Sequence, residues 1–120
     1  MNADFKVTSE QTQTQSKNLV TVFHLSGWLD AQGEEKLLTT AKEVHDAGTQ
    51  YLVLNLENVS MLTSAGIRAI QKAQKLFSAA TNLKICNAPP NVYHVLKMTG
   101  ILQVLPMYES LQAALDSYIE

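Results

Sequence analysis

The chain has 120 residues, 46% of them hydrophobic, and a formal net charge of -2. That size and apolar content predict one folded domain over residues 1–120 with a real core, and exclude wholesale disorder. The charge leaves no basic footprint for nucleic acid or an anionic membrane, and the single Cys86 excludes an internal disulfide. No apolar run approaches the ~18 residues of a membrane span. The opening Met1 to Lys6 also lacks the apolar core of a signal peptide. A cytoplasmic protein without a membrane span is expected.

Phe5 to Ser9 alternates apolar and polar residues, as a half-buried or edge strand does. The polar run Glu10 to Asn18 reads as a loose hairpin connection. Leu19 to Leu25 is rich in β-branched residues and predicts a central strand, in which His24 is assigned no role. Gly27-Trp28-Leu29-Asp30 closes that strand. Asp30 stands where the next helix needs a cap, and Leu37, Leu38, Ala41 and Val44 give that helix its apolar face. Gly48 stops it.

A second apolar strand, Tyr51 to Leu56, leads into a strand-to-helix turn over Val59 to Arg68. The helix beyond carries apolar residues at Ile67, Ile70, Ala73, Phe77 and Ala80. Asn82 breaks it before a short strand, Leu83 to Cys86, where the thiol is expected to be a small buried side chain. Pro90 suits the first position of a helix running through Val92, Val95, Leu96 and Met98 to Gly100. Leu102 to Leu105 is expected as a final strand. A last helix presents Leu111, Ala114, Leu115, Tyr118 and Ile119 on one face.

After an initial hairpin, strands alternate with single helices, which predicts parallel pairing. The expected fold is a small α/β domain: a mixed, mostly parallel sheet of about five strands with an N-terminal antiparallel hairpin. Its helices lie mainly on one face. Asp30 and Ser64 then stand at the carboxyl edge of adjacent strands, where such sheets place functional groups. Ser64, or Thr63 beside it, reads either as a plain N-cap or as a hydroxyl displayed for modification. A phosphate there would be favoured by the helix dipole and the free N–H groups. Arg68 is expected to face solvent rather than a phosphate, with Lys72 and Lys75 on the wet side of the same helix.

Three ordered segments carry a resemblance that spans nearly the whole chain. They are Leu25 to Ala31, containing Gly27-Trp28-Leu29-Asp30; Leu54-Asn55-Leu56 with Leu62-Thr63-Ser64-Ala65-Gly66-Ile67; and Val95 to Ile101, containing Thr99-Gly100-Ile101. Together they resemble STAS domains of the anti-sigma factor antagonist kind. The resemblance implies a non-catalytic binding protein that docks an anti-sigma factor serine kinase and frees a sigma factor. It implies phosphorylation of Ser64, with Thr63 as the other hydroxyl in place, and resetting by a serine phosphatase. The implied partner surface comprises Asp30, Thr63, Ser64, Ala65, Gly66 and Arg68. Thr63 stands where the family has an acidic residue and Ala65 where it has a second serine.

Other classes fit less well. A hydrolase nucleophile elbow wants glycine two residues before the serine, and Leu62 is there. With no glycine-rich nucleotide loop and no His/Cys cluster, no catalytic residue, metal or cofactor is expected. The alternative within the resemblance is a scaffold subunit of a stress-signalling or lipid-transport complex.

Overall fold

The computed structural model describes residues 4–14, 17–77 and 82–118. Its strands are β1 (Lys6–Gln13), β2 (Leu19–Leu29), β3 (Tyr51–Leu62), β4 (Leu83–Cys86) and β5 (Met107–Tyr108). Its helices are α1 (Ala31–Asp46), α2 (Ser64–Leu76), α3 (Pro90–Met98) and α4 (Leu111–Asp116), with a 3₁₀ turn at Ile101–Gln103. The strands form one sheet in the order β1-β2-β3-β4-β5. β1 runs antiparallel to β2, and the other three pairs are parallel. This is the α/β architecture expected above.

The sheet's alternation sorts residues to two faces. Phe23, Leu25, Leu52 and Leu54 point into the main core, where Leu37 and Ala41 of α1, Ile70 of α2 and Leu96 of α3 meet them. Val20, Val22 and Val53 point the other way, covered by Ala114 of α4 and by Tyr118 just beyond that helix. Lys84 is buried on that second face, its ammonium over the Tyr118 ring at 3.9 Å and donating to Ser117 Oγ. The aliphatic stem of a lysine suits such a position, and the aromatic face receives its charge.

Four boundaries differ from expectation. Glu10 to Gln13 is not a loop: these residues continue β1 opposite Leu19 to Val22, because an edge strand with one wet face tolerates an all-polar stretch. β3 runs on to Leu62, so Val59 to Leu62 is strand and the turn into α2 narrows to Thr63. The strand expected at Leu102 to Leu105 is absent. Gly100, at φ 78°, ends α3 and starts the 3₁₀ turn, so Ile101 and Leu105 are buried at helical spacing while Val104 stays exposed. The closing strand is instead Met107–Tyr108, beyond Pro106. Ala80 and Ile119, expected on apolar helix faces, lie outside the described residues.

His24, assigned no role above, joins a polar chain across the sheet. Asn55 Oδ1 accepts from the Glu57 N–H at 3.1 Å and from Asn87 Nδ2 at 3.1 Å. Its Nδ2 therefore donates to His24 Nδ1, at 3.0 Å, which places the imidazole proton on Nε2. That nitrogen donates to Glu10 Oε1 at 2.7 Å. The buried Asn55 amide is thus satisfied at both ends, as burial requires.

Candidate functional site

The carboxyl ends of β2 and β3 carry the residues singled out in sequence. Leu29 pairs with Leu62, so the next residues, Asp30 and Thr63, leave the sheet side by side. Each caps the helix that follows. Asp30 Oδ1 accepts from the Gln32 and Gly33 N–H groups, both at 3.1 Å, satisfying two otherwise unpaired donors of α1. Thr63 Oγ1 accepts from the Gly66 N–H at 3.4 Å, and the Thr63 N–H and hydroxyl both donate to the Leu29 carbonyl, at 3.2 and 3.4 Å. The cap is therefore Thr63, and Ser64 is the first helical residue.

This division of labour decides what Ser64 can do. Its side chain is exposed and makes no hydrogen bond to the described residues, because its neighbour already supplies the capping oxygen. A hydroxyl not engaged in capping, at the mouth of a helix, is open to an incoming group. Ala65 is half-buried behind it. Gly66 faces inward: a Cβ there would stand 2.2 Å from the Leu29 carbonyl oxygen and 2.6 Å from Leu62 Cδ1. Only glycine lets α2 approach β2 this closely, so Gly66 sets the seat of the helix beneath the hydroxyl.

Arg68 does not face solvent alone. Its Nε donates to Glu34 Oε2 at 3.0 Å and its Nη2 to Glu34 Oε1 at 3.1 Å, a two-pronged pair joining α2 to the first turn of α1. Lys72, expected simply on the wet side, donates to the same Oε2 at 3.3 Å. Hydrogen bonding from Arg68 is the largest influence holding the Glu34 carboxyl below its usual range, with Lys72 adding to it. Glu34 was not singled out in sequence: it lies 34 residues from Arg68 and only the packing of α1 on α2 brings them together.

Phe5, Trp28, Asp30 and Lys36 border a groove of about 710 Å³. The indole of Trp28 is 40% exposed there, a large apolar group beside a carboxylate. The carboxyl edge thus presents, in one neighbourhood, an aromatic ring, a capping carboxylate, an exposed serine hydroxyl and the Arg68–Glu34–Lys72 cluster. Among the described residues no helix is long and apolar enough to cross a membrane, and no cluster of three or more His, Cys, Asp or Glu residues could hold a metal ion.

Comparison with known proteins gives a consistent result. The family model described as the STAS domain matches residues 11–114. The anti-sigma F factor antagonist of Paenibacillus polymyxa is 26% identical over 93 residues, covering 76% of this chain and 80% of that protein. An anti-sigma factor antagonist from Mycobacterium paratuberculosis has a similar structure, with a TM-score of 0.78 at 21% identity over 93% of both chains. The Bacillus cell fate determinant SpoIIAA, in its phosphorylated form, superposes with a TM-score of 0.63 at 17% identity, over 92% of this chain and 98% of that one.

Proposed function

The chain belongs to the STAS domain family, and from that premise we propose that it is an anti-sigma factor antagonist acting as a phosphorylation-controlled binding switch. In this reading residues 1–120 form a single STAS domain in the cytoplasm that carries out no reaction of its own. Its carboxyl edge docks an anti-sigma factor serine kinase through Asp30, Thr63, Ser64, Ala65, Gly66 and Arg68, and a sigma factor is released. The observation that carries the reading is the exposed Ser64 hydroxyl, left out of capping by Thr63 and standing beside the Asp30 turn.

The kinase transfers the terminal phosphoryl group of ATP to Ser64 Oγ. The new O–P bond replaces the one to ADP, and the serine proton leaves. The phosphoserine carries about -1.5 to -2 charges at neutral pH. At an exposed helix start such a charge is favoured by only about 0.3–1 kcal/mol. The fold therefore has little reason to change. The complex is affected far more, because docking would strip that dianion of water and bury it against the Asp30 carboxylate, and each ~1.4 kcal/mol weakens binding tenfold. A serine phosphatase removes the group and restores docking. Local repulsion is enough to operate the switch.

The test is incubation of the purified protein with anti-sigma factor kinase and ATP, followed by mass spectrometry of the peptide carrying both hydroxyls. One phosphate on Ser64, lost in Ser64→Ala and retained in Thr63→Ala, is expected, together with at least a hundredfold weaker kinase binding. Phosphate on Thr63 alone would refute the assignment. No phosphate with any cognate kinase would favour the scaffold subunit instead.

A further inference from the structure

We propose that Arg68 is shared between two anions: it clamps Glu34 while Ser64 is free and moves to the phosphate when Ser64 is phosphorylated, leaving Glu34 to Lys72. This rests on Ser64 being the modified residue. It adds Glu34, on the neighbouring helix, as the built-in competitor that sets how firmly the phosphate is held.

The geometry of the cluster separates a fixed member from movable ones. The Glu34 side chain is only 14% exposed and sits in the first turn of α1, whereas Arg68 and Lys72 are 53% and 54% exposed. The carboxylate is therefore the anchored partner and the two cations are the free arms. Arg68 follows Ser64 by four residues on α2, so the two share one helix face with Cβ atoms roughly 5–6 Å apart. Side chains of a helix also tilt toward its N-terminus, which aims Arg68 along that face toward Ser64. A swing of the guanidinium alone reaches the phosphate, with no change in the backbone.

Charge decides which anion wins. Guanidinium pairs in its two-pronged mode with phosphate as well as with carboxylate, and the phosphate brings up to twice the charge. The exchange strands nothing, because Lys72 Nζ already lies 3.3 Å from Glu34 Oε2 and remains there. Were Arg68 the only cation on Glu34, departure would leave a shielded carboxylate bare and the exchange would be opposed. The cross-link from α2 to α1 thus drops from two cations to one, beside the Asp30 cap. A modification on one helix is passed to the next as a change of partner.

The experiment uses the full chain with phosphoserine placed at position 64 during translation, so no kinase is needed. The second ionisation of the phosphate, near pH 6 when unperturbed, is followed by phosphorus NMR. Arg68→Gln is expected to raise its proton affinity about tenfold, the effect of losing one adjacent opposite charge. Glu34→Gln is expected to act oppositely, and most of its effect should vanish in the Glu34→Gln/Arg68→Gln double variant. Lys72→Gln, which leaves Glu34 with Arg68 alone, should act in the same direction as Arg68→Gln, and that effect should vanish when Glu34→Gln is added. No effect of Arg68→Gln, or an equal effect of Glu34→Gln with and without Arg68, would overturn the exchange. Failure of the parent reading shows elsewhere, as the absence of kinase-transferred phosphate on Ser64.

Discussion

Replacing Gly66 by alanine tests whether α2 owes its seat to the missing side chain. The added carbon would stand 2.2 Å from the Leu29 carbonyl oxygen, 2.6 Å from Leu62 Cδ1 and 2.9 Å from Leu29 Cγ. Ordinary contacts begin near 3.5 Å, so the helix must withdraw by roughly 1 Å. Overpacking of this kind costs about 1–3 kcal/mol, and here the obstacle is backbone that cannot rotate aside. Withdrawal also stretches the bond from the Thr63 N–H to the Leu29 carbonyl, already 3.2 Å long. Such a bond contributes about 0.5–1.5 kcal/mol. Alanine recovers about 0.5–1 kcal/mol through its better helix propensity. The expected net loss is about 1–3.5 kcal/mol, a large part of a typical domain's stability.

Urea unfolding measures this as a fall in midpoint with an unchanged slope. Gly33→Ala is the graded comparison. Its Cβ would meet Phe5 Cγ and the Trp28 carbonyl at 3.0 Å, a squeeze that helix propensity can largely offset. That variant should stay within about 1 kcal/mol of the parent. If Gly66→Ala is no less stable than Gly33→Ala, the close approach is not what requires glycine.

Three further outcomes follow from the same geometry. Thr63→Ala removes the α2 cap and should cost about 1 kcal/mol in chemical unfolding, while Thr63→Ser, which keeps an oxygen in place, should lose less. Asn55→Ala deletes the middle of the chain from Glu10 to Asn87 and should cost about 2–3 kcal/mol; an unchanged midpoint would mean the network contributes nothing. Burial pushes the Cys86 thiol up from 9.0 to about 12, with Glu57 adding to the effect. Above pH 9 the unfolded chain releases this proton while the folded one keeps it, so stability falls as pH rises toward 12, by up to about 1.4 kcal/mol per pH unit. Cys86→Ala should remove that component of the alkaline slope, and the native thiol should resist alkylating reagents until unfolding.

Local patterns revealed the elements, and long-range contacts were what they could not reveal. The β-branched content of Leu19 to Leu25, the apolar run Tyr51 to Leu56 and the proline at the start of α3 were legible because each reports on its own backbone. Leu102 to Leu105 misled because a short apolar run has no clear period, and the left-handed Gly100 turned it into a 3₁₀ turn. At the site, two adjacent hydroxyls could each have been the cap, and only the bond from the Gly66 N–H to Thr63 Oγ1 separates them. Arg68 and Glu34, or His24 and Glu10, meet through helix packing and strand register rather than spacing. No local pattern announces such pairs.

The sheet adds its strands in chain order, each laid beside the one before it. No pairing therefore waits on a distant segment, and ring closure at each step spans little more than a helix and its turns, which keeps the entropic toll low. Assembly can proceed outward from the long β2–β3 ladder, with the two-residue β5 and six-residue α4 joining at the rim. Amide exchange should map this history, with Met107 and Tyr108 trading protons through fraying and Phe23 and Leu54 only through global opening. Equal protection at rim and centre would mean that the C-terminal layer is as integral to cooperativity as the middle of the sheet.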